Sequence, residues 1–377
     1  MTLHNQTVPV KIAMVGCGFV ADYYMANIKT YSSFTLVGVF DIDSVRLKQF
    51  TEYYNVRMFE SYEEILNDTS IDIILNLTNP REHYSVSKQA LIANKHVYSE
   101  KPLAMNIKHA NELVDMANQR NLILSSAPCN LLGKSLKTLE YAVNQGLIGK
   151  VRLVYAELDD GLVHKMPFKK WTSVSGARWP YRDEFEVGCT LEHAGYQLGW
   201  LIKVFGNVES VTAFSDVTIA NKVPGERPLQ PADTPDVSIA TLKFNSGIVA
   251  RLTTTIVAPH DHTIRIFGDD GVITLTDCWD NNEHVYYQKY IQIRRKRFLN
   301  PIKTKVKLPQ SSANKTMKFG NTKMDFLLGV DEISRCVTAQ STPILDSAFS
   351  LHVNEIALIL QSGNSVGAIP IQSKAYS

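Results

Sequence analysis

The sequence predicts an α/β protein in two parts: a doubly wound parallel sheet over residues 1–127 and an α+β domain with a mostly antiparallel sheet over 128–377. Three observations carry this. Short apolar runs rich in β-branched residues alternate with longer helix-like segments at the start, and a glycine-rich turn joins the first run to the first such segment. After about residue 150 the apolar runs crowd together, with turn residues between them.

Taken in order, "VKIAMVG" precedes a helical pattern over 19–31, "FTLVGVFD" one over 44–55, "IDIILNLT" one over 82–94, "HVYSEKP" one over 106–120, and "LILSSA" closes the series. Continuous apolar strands alternating with helices belong to parallel sheets covered on both faces. "NLLGKSLKTLEYAVNQGLIGKV" reads as a helix that stops at Gly146 and Gly149. "VRLVYAELD", "VESVTAFS", "VSIATLKF", "IVARLTTTIV", "HTIRIFG" and "VITLTD" follow as strands, with turns at Asn245-Ser246-Gly247 and Asp269-Asp270-Gly271. Residues 325–340 and 347–361 read as closing helices. The stretch from Ile293 to Lys318 is basic, with Arg294, Arg295, Lys296, Arg297, Lys303, Lys305 and Lys307; it is a solvated loop or edge strand, or a contact for a substrate phosphate.

Composition narrows the partners. Lys plus Arg number 39 against 37 Asp plus Glu, so no charge excess points to nucleic acid or an acidic membrane, and a small molecule is expected. The five cysteines are widely spaced without a C-x-x-C pair, which suits neither a zinc site nor a disulfide framework and fits a reducing, cytoplasmic compartment. The start "MTLHNQTVPV" lacks a basic then apolar leader, and no apolar stretch reaches the ~18 residues of a membrane helix. A soluble chain is the expectation.

Between the first strand and helix lies Gly16-Cys17-Gly18-Phe19-Val20-Ala21. In such a turn the first glycine permits the bend, the second lets a pyrophosphate approach the backbone, and a small third residue allows close packing. The second strand ends in "VGVFDID", placing Asp41 where an acid binds the adenosine ribose. That acid accepts ribose hydroxyls and repels a 2′-phosphate, so NAD(H) is favoured; Arg46 nearby leaves NADP(H) open.

With "YSEKPLA" after the fourth strand and "G-x-x-L-E" at 188–192, the chain resembles the glucose-fructose oxidoreductase / inositol dehydrogenase (Gfo/Idh/MocA) family over nearly its whole length. "NPREHYSVSKQALIANKHVYSEKPLA" and "VNQGLIGKV" also look like that family's connecting segments. The resemblance implies a Rossmann domain, an open-faced sheet through which homodimers or homotetramers form, and oxidation or reduction of sugar and polyol carbons. It implies that Lys101 lies beside the nicotinamide and the reacting oxygen, and that Thr78, Asn79, Pro80, His83 and Glu100 join the cofactor-binding set.

The family's catalytic helix commonly reads G-x-x-L-D-x-G-x-H. Aligning Gly188 and Leu191 puts Glu192 at the aspartate and Tyr196 at the histidine; the alternative, His193 as the displaced histidine, leaves Cys189 where the acid belongs. On a helix, Leu191, Ala194, Gly195, Leu198, Leu201, Ile202 and Phe205 share an apolar face, while Glu192, Tyr196 and Gly199 share its neighbour. Gly199 there gives room for a substrate ring or serves helix packing. A phenol suits ketone reduction, since the carbonyl oxygen needs a proton as hydride reaches carbon, and a nearby ammonium such as Lys101 favours the phenolate and stabilises the oxyanion. Glu192 would orient these groups or hold a substrate hydroxyl; His193 flanks the site or supports it by a hydrogen bond.

Upstream, "SGARWPYRDEFEVGCTLEH" offers Trp179, Tyr181, Arg182, Asp183 and Glu184 as a sugar-binding wall or a well-packed connection. His260 and His262 in "APHDHT" alternate along a strand end; with no further ligand identifiable they read as surface histidines and no metal is expected. His352 is a candidate cleft residue. The activity expected is hydride transfer to or from a sugar or nucleotide sugar, with a redox glycosidase and a non-catalytic dinucleotide-binding regulator as alternatives.

Overall fold

The computed structural model describes residues 9–309, 323–363 and 369–376. Their packing divides into two compact units. The first takes in the described residues up to Ala127 together with Lys169–Pro180 and Phe326–Leu351; the second takes in the described residues of Pro128–Phe168, Tyr181–Asp325 and His352–Ser377.

The first unit opens with β1 (Val10–Val15), α1 (Ala21–Met25), β2 (Phe34–Phe40), α2 (Ser44–Tyr54), α3 (Tyr62–Asn67), β3 (Ile73–Asn76), α4 (His83–Ile92), β4 (His96–Ser99), α5 (Ile107–Gln119) and β5 (Leu124–Ser126). The strands form a parallel five-stranded sheet in the order β2-β1-β3-β4-β5. Alternation along each strand explains the continuous apolar runs. Ile12, Met14, Ile73, Leu75 and Tyr98 point into one core, whereas Ala13, Val15, Ile74 and Val97 point into a second on the opposite face. Most side chains on both faces are out of water, so apolar residues dominate these strands, with exposed Lys11 and Thr35 near the strand starts and polar Asn76 and Ser99 at the strand ends.

Caps set the helix starts. Asp43 accepts the backbone N–H groups of Val45 and Arg46, and Asn106 that of His109. Two elements differ from the sequence expectation. The pattern over 19–31 yields only the five-residue α1 and a 3-10 turn at Ile28–Thr30, because Asn27 leaves helical geometry between them. The short α3 was not expected, although Ser61 caps it by accepting the Glu64 N–H, the first half of a capping box.

The second unit contains α6 (Lys134–Asn144), β6 (Val151–Asp159), α7 (Tyr181–Val187), α8 (Cys189–Phe205), β7 (Val208–Asp216), β8 (Val237–Phe244), β9 (Val249–Thr255), β10 (Ile264–Gly268), β11 (Gly271–Leu275), β12 (Tyr286–Ile293), β13 (Lys296–Leu299) and β14 (Thr304–Lys305). After α9 (Leu328–Ala339), which belongs to the first unit, come α10 (Ser347–Ser362) and β15 (Ile369–Pro370). The ten-stranded sheet runs β13-β12-β11-β10-β6-β9-β8-β7-β15, with β14 on β12; β6 and β9 are parallel and every other pairing is antiparallel. Along β7 and β8 buried and exposed residues alternate, so this part of the sheet has one covered and one open face. Phe214 and Ile239, paired across β7 and β8, lie on the open face and are 55% and 45% exposed.

Helix α8 is buried on nearly every side rather than amphipathic, with Thr190, Glu192, Gln197 and Trp200 enclosed as fully as its leucines. It lies on β6, β8 and β9 and is covered by α6 and α7, so little of it is left for solvent. Among the described residues no helix is long and apolar enough to cross a membrane.

His352 on α10 ties helix to sheet. Its Nε2 accepts the Val208 N–H at 3.0 Å and its Nδ1 meets the Ser373 hydroxyl at 2.8 Å. Burial pushes its pKa from 6.5 down to about 4, against the pull of Glu355. The folded form therefore holds the ring neutral. Stability from this group is complete above pH 6.5 and is lost as pH falls toward 4, by about 3 kcal/mol. Urea unfolding at pH 7 and pH 4.5 checks it: His352→Gln is expected to flatten the decline, and an unchanged slope refutes the assignment.

Candidate active site

The glycine loop comes directly off β1. Gly16 has φ +100° and a Cβ there would sit 2.5 Å from the Leu77 carbonyl oxygen, so only glycine fits. At Gly18 a Cβ would meet nothing within 4 Å. The second glycine thus leaves its backbone open to approach, the feature a dinucleotide pyrophosphate requires. Phe19 packs edge-on to Tyr23, with ring centroids 5.8 Å apart, and Val20 is the N-cap of α1.

Asp41 just beyond β2 is almost fully enclosed. Its Oδ2 accepts the Cys17 N–H at 2.7 Å and Arg46 Nε at 2.9 Å; its Oδ1 accepts the Asp43 N–H at 2.8 Å and Arg46 Nη2 at 2.7 Å. The carboxylate therefore braces the glycine loop and holds Arg46 in a bidentate pair. Arg46 keeps 39% of its side chain exposed and is the more accessible of the two. Burial, reinforced by the Asp41 charge, pushes the Cys17 thiol well up, so it stays an unreactive thiol.

At the ends of β3 and β4, side chains lock two turns together. Buried Asn76 donates to the His83 carbonyl and the Ser87 hydroxyl, while its Oδ1 accepts the Thr78 hydroxyl at 2.6 Å. His83 is buried, with Nδ1 2.7 Å from the Pro102 carbonyl oxygen and Nε2 2.9 Å from that of Thr78. Asn79 and Pro80 form the turn leading to it. Glu100 accepts the Tyr24 hydroxyl at 2.6 Å and the Lys101 N–H at 3.1 Å. His83 and Glu100 thus clamp the turn on either side of Lys101 instead of offering their own side chains outward. Trp179 packs on Trp171 in the segment 169–180 that Ser175 fastens to the Asp22 carboxylate.

In the second unit, Gly188 at φ +95° starts α8, where a Cβ would collide with the Thr234 methyl at 2.2 Å. Tyr196 lies against Trp279, with ring centroids 4.9 Å apart, and Asn130 donates to its backbone carbonyl at 3.0 Å. Glu192 is buried one turn before it. Gly199 serves packing, since a Cβ there would touch Leu131 at 3.0 Å.

His193 reveals what the sequence did not. Its Nε2 lies 2.9 Å from Asp160 Oδ2, and Asp160 Oδ1 lies 2.9 Å from His262 Nε2. His262 Nδ1 in turn is 3.6 Å from Asp277 Oδ1, a carboxylate held by the Trp279 N–H. Burial works against charge on Asp160, but His193 and His262 outweigh it and hold the carboxyl well below its usual range. Burial likewise opposes the His262 imidazolium, yet Asp160 and Asp277 raise its pKa to about 9. The expectation of surface histidines fails for His262, which is fully buried, because pairing of Asp159 with Asp261 draws the strand end inward. Asp160 is the further donor that "APHDHT" alone could not supply: Asp160, His260 and His262 form the one such cluster among the described residues. The doublet in "ELDDG" and "DCWD" at 277–280 are the only traces of it in the text.

Two further nominated regions belong to elements of their own. Tyr181–Val187 is a helix rather than a loop, and Arg182 there donates to the Arg227 and Pro228 carbonyls at 3.0 Å and meets Glu226 and Glu186. Its guanidinium belongs to a packed junction with the 226–230 segment, and Glu184 lies on the same helix. The basic stretch forms the exposed hairpin β12–β13 at one edge of the sheet, separated from β6 by β11 and β10; its continuation over 310–318 lies outside the described residues.

Comparison with known proteins decides the family. A model described as "Oxidoreductase family, NAD-binding Rossmann fold" (Gfo/Idh/MocA) matches residues 10–127, and the Gfo/Idh/MocA C-terminal domain matches 136–274. The chain belongs to the Gfo/Idh/MocA family. As such it is an NAD(P)-binding oxidoreductase. It is similar to myo-inositol 2-dehydrogenase of Thermotoga maritima, 22% identical over 334 residues, which cover 85% of this chain and 94% of that one. In fold this Gfo/Idh/MocA chain matches the 3-ketoreductase KijD10 of Actinomadura kijaniata, solved with NADP and TDP-benzene, at TM-score 0.70 and 18% identity over 94% of this chain and 98% of that one. It also matches the WlbA dehydrogenase of Bordetella pertussis, solved with NADH and UDP-GlcNAcA, at TM-score 0.71 and 19% identity over 97% and 98%.

Proposed function

We propose that this Gfo/Idh/MocA protein transfers hydride to or from a CH–OH or carbonyl carbon of a sugar or nucleotide sugar. Tyr196 is its general acid/base and Lys101 its electrostatic partner. The observation that carries the reading is the setting of Tyr196: a phenol one helical turn from Glu192, backed by Trp279, beside the His193–Asp160 pair. The nucleotide-diphosphate ligands of the two structural neighbours, TDP-benzene in one and the nucleotide sugar UDP-GlcNAcA in the other, support the substrate class.

The cofactor, when bound, supplies or accepts the hydride. Gly16, Gly18, Phe19, Val20, Asp41 and Arg46 would hold its adenosine and pyrophosphate, and Thr78, Asn79, Pro80, His83, Glu100 and Lys101 its nicotinamide side. In reduction Tyr196 gives its phenolic proton to the nascent alkoxide; in oxidation the phenolate takes the hydroxyl proton. The Lys101 ammonium stabilises negative charge on that oxygen. Glu192 and His193 hold sugar hydroxyls, with Asp160 fixing the His193 ring; Trp179, Arg182 and Glu184 remain the candidates for the sugar wall.

NAD(H) is favoured because the Asp41 charge opposes a 2′-phosphate, while the exposed Arg46 leaves NADP(H) usable. Asp41→Ser is expected to shift the NADPH to NADH affinity ratio at least ~10-fold toward NADPH, the scale of one charge-assisted hydrogen bond. Fluorescence titration measures it, and an unmoved ratio refutes the role of Asp41. Copies associate as dimers or tetramers through the open sheet face around Phe214 and Ile239; a monomer by light scattering counts against this.

The deciding experiment follows NADH absorbance with a panel of keto-sugars and nucleotide-linked keto-sugars. Net oxidation of NADH supports the reading. Cleavage of chromogenic glycosides without net NADH change replaces it by the redox glycosidase, and dinucleotide binding with neither reaction leaves the regulator.

A further inference from the structure

Asp160, His260 and His262 meet because of local β geometry. Asp159 and Asp261 exchange backbone hydrogen bonds at 3.0 and 2.9 Å, which sets Asp160 opposite His260 across an antiparallel bridge. His260 and His262, two residues apart, fall on one face, with ring centroids 4.0 Å apart. One donor atom from each of the three side chains lies within 4.8 Å of the others.

We propose that Asp160, His260 and His262 bind a divalent transition-metal ion of Zn2+ type. One carboxylate and two imidazoles are the donor set of an open tetrahedral site, in which a water completes the shell. Metal bonds of ~2.0–2.2 Å set such donors roughly 3.4 Å apart, between the 2.9 Å that separates Asp160 Oδ1 from His262 Nε2 and the 4.8 Å that bounds the cluster. Metal-bound imidazoles characteristically have a carboxylate behind the distal nitrogen. Here Asp277 Oδ1 stands 3.6 Å from His262 Nδ1, a buried atom with no hydrogen-bond partner, and is itself fixed by the Trp279 N–H at 2.9 Å. His193 holds the other Asp160 oxygen, leaving Oδ1 directed at His262. The three residues grade from exposed His260 through half-buried Asp160 to buried His262, which gives an ion a route in from solvent. On binding, the ion takes the place of the proton between Asp160 Oδ1 and His262 Nε2, and that proton passes to solvent.

The test uses full-length protein without a histidine tag, treated with chelator and then titrated with Zn2+ by calorimetry and with Co2+ by visible absorbance. One equivalent is expected, with the intense d–d bands of four-coordinate Co2+. His260→Ala, at an exposed position that does not threaten folding, is expected to weaken Zn2+ binding at least ~10-fold, and Asp277→Asn by ~10–100-fold. Absence of a saturable Co2+ spectrum, or equal Zn2+ affinity in wild type and His260→Ala, overturns the site. Binding is read directly, so the result stands apart from whether any sugar is turned over.

Discussion

Tyr196→Phe is expected to lower turnover at least ~100-fold while dinucleotide affinity stays within a factor of two or so, the scale of lost acid/base catalysis. The substitution keeps the two contacts described for the residue. The ring still packs on Trp279, and Asn130 still donates to the backbone carbonyl. Melting temperature should therefore hold, which separates loss of chemistry from loss of fold. Single-turnover kinetics with NADH and a carbonyl substrate provide the measurement. A near-normal rate would transfer the proton step to His193 or Lys101 and leave Tyr196 a packing residue. A loss confined to KM would instead make the phenol a binding group.

The largest expected loss of stability is at Asp236. Its carboxylate is fully buried and accepts the Thr218 and Ile219 N–H groups at 2.9 Å and the Thr218 hydroxyl at 2.7 Å. Lys222, also buried, lies 3.3 Å away and donates to the Thr234 carbonyl at 3.0 Å. Burial works against the charge, yet these donors and the ammonium keep the carboxyl below its usual range. Asp236→Ala leaves three donors without their acceptor and the buried ammonium without its counter-charge, at a cost of about 3–5 kcal/mol. The effect should reach α7, because the same loop accepts Arg182 at Arg227 and Pro228 and bonds Thr234 to the Glu186 carbonyl. Replacing both partners, Lys222→Met with Asp236→Leu, should recover a good part of the loss, since an apolar pair has no charge to strand. Denaturant titration of the single and double variants tests this, and a loss under about 1 kcal/mol for Asp236→Ala contradicts it.

How far the molecule was legible in its text follows the range of the signals. The five parallel strands were readable because each is a short apolar run whose two faces are both covered, a property written in consecutive residues. The glycine turn after β1 and the end of β2 before Asp41 were readable because each is written in a few consecutive residues. The α3 helix escaped because it is only six residues long, although its Ser61 cap was present in "SYEE". Helix α8 read as having one apolar face, whereas the sheet and two helices enclose Glu192 and Gln197 as well. The Asp160 cluster was hidden for a different reason: His193, His262 and Asp277 come from three segments that meet only once the sheet pairs.

The first unit is assembled from distant stretches of chain, and this bears on its birth. Leu327, Val330 and Ile333 sit in one of its two cores, and Ser175 satisfies the enclosed Asp22. A ribosome that has delivered these strands but not yet α9 has thus made a sheet with one apolar flank covered by α1 and α2 alone. That nascent piece must wait, shielded or loosely ordered, until α9 emerges some two hundred residues later, so chaperone dependence during synthesis should fall on the amino-terminal half.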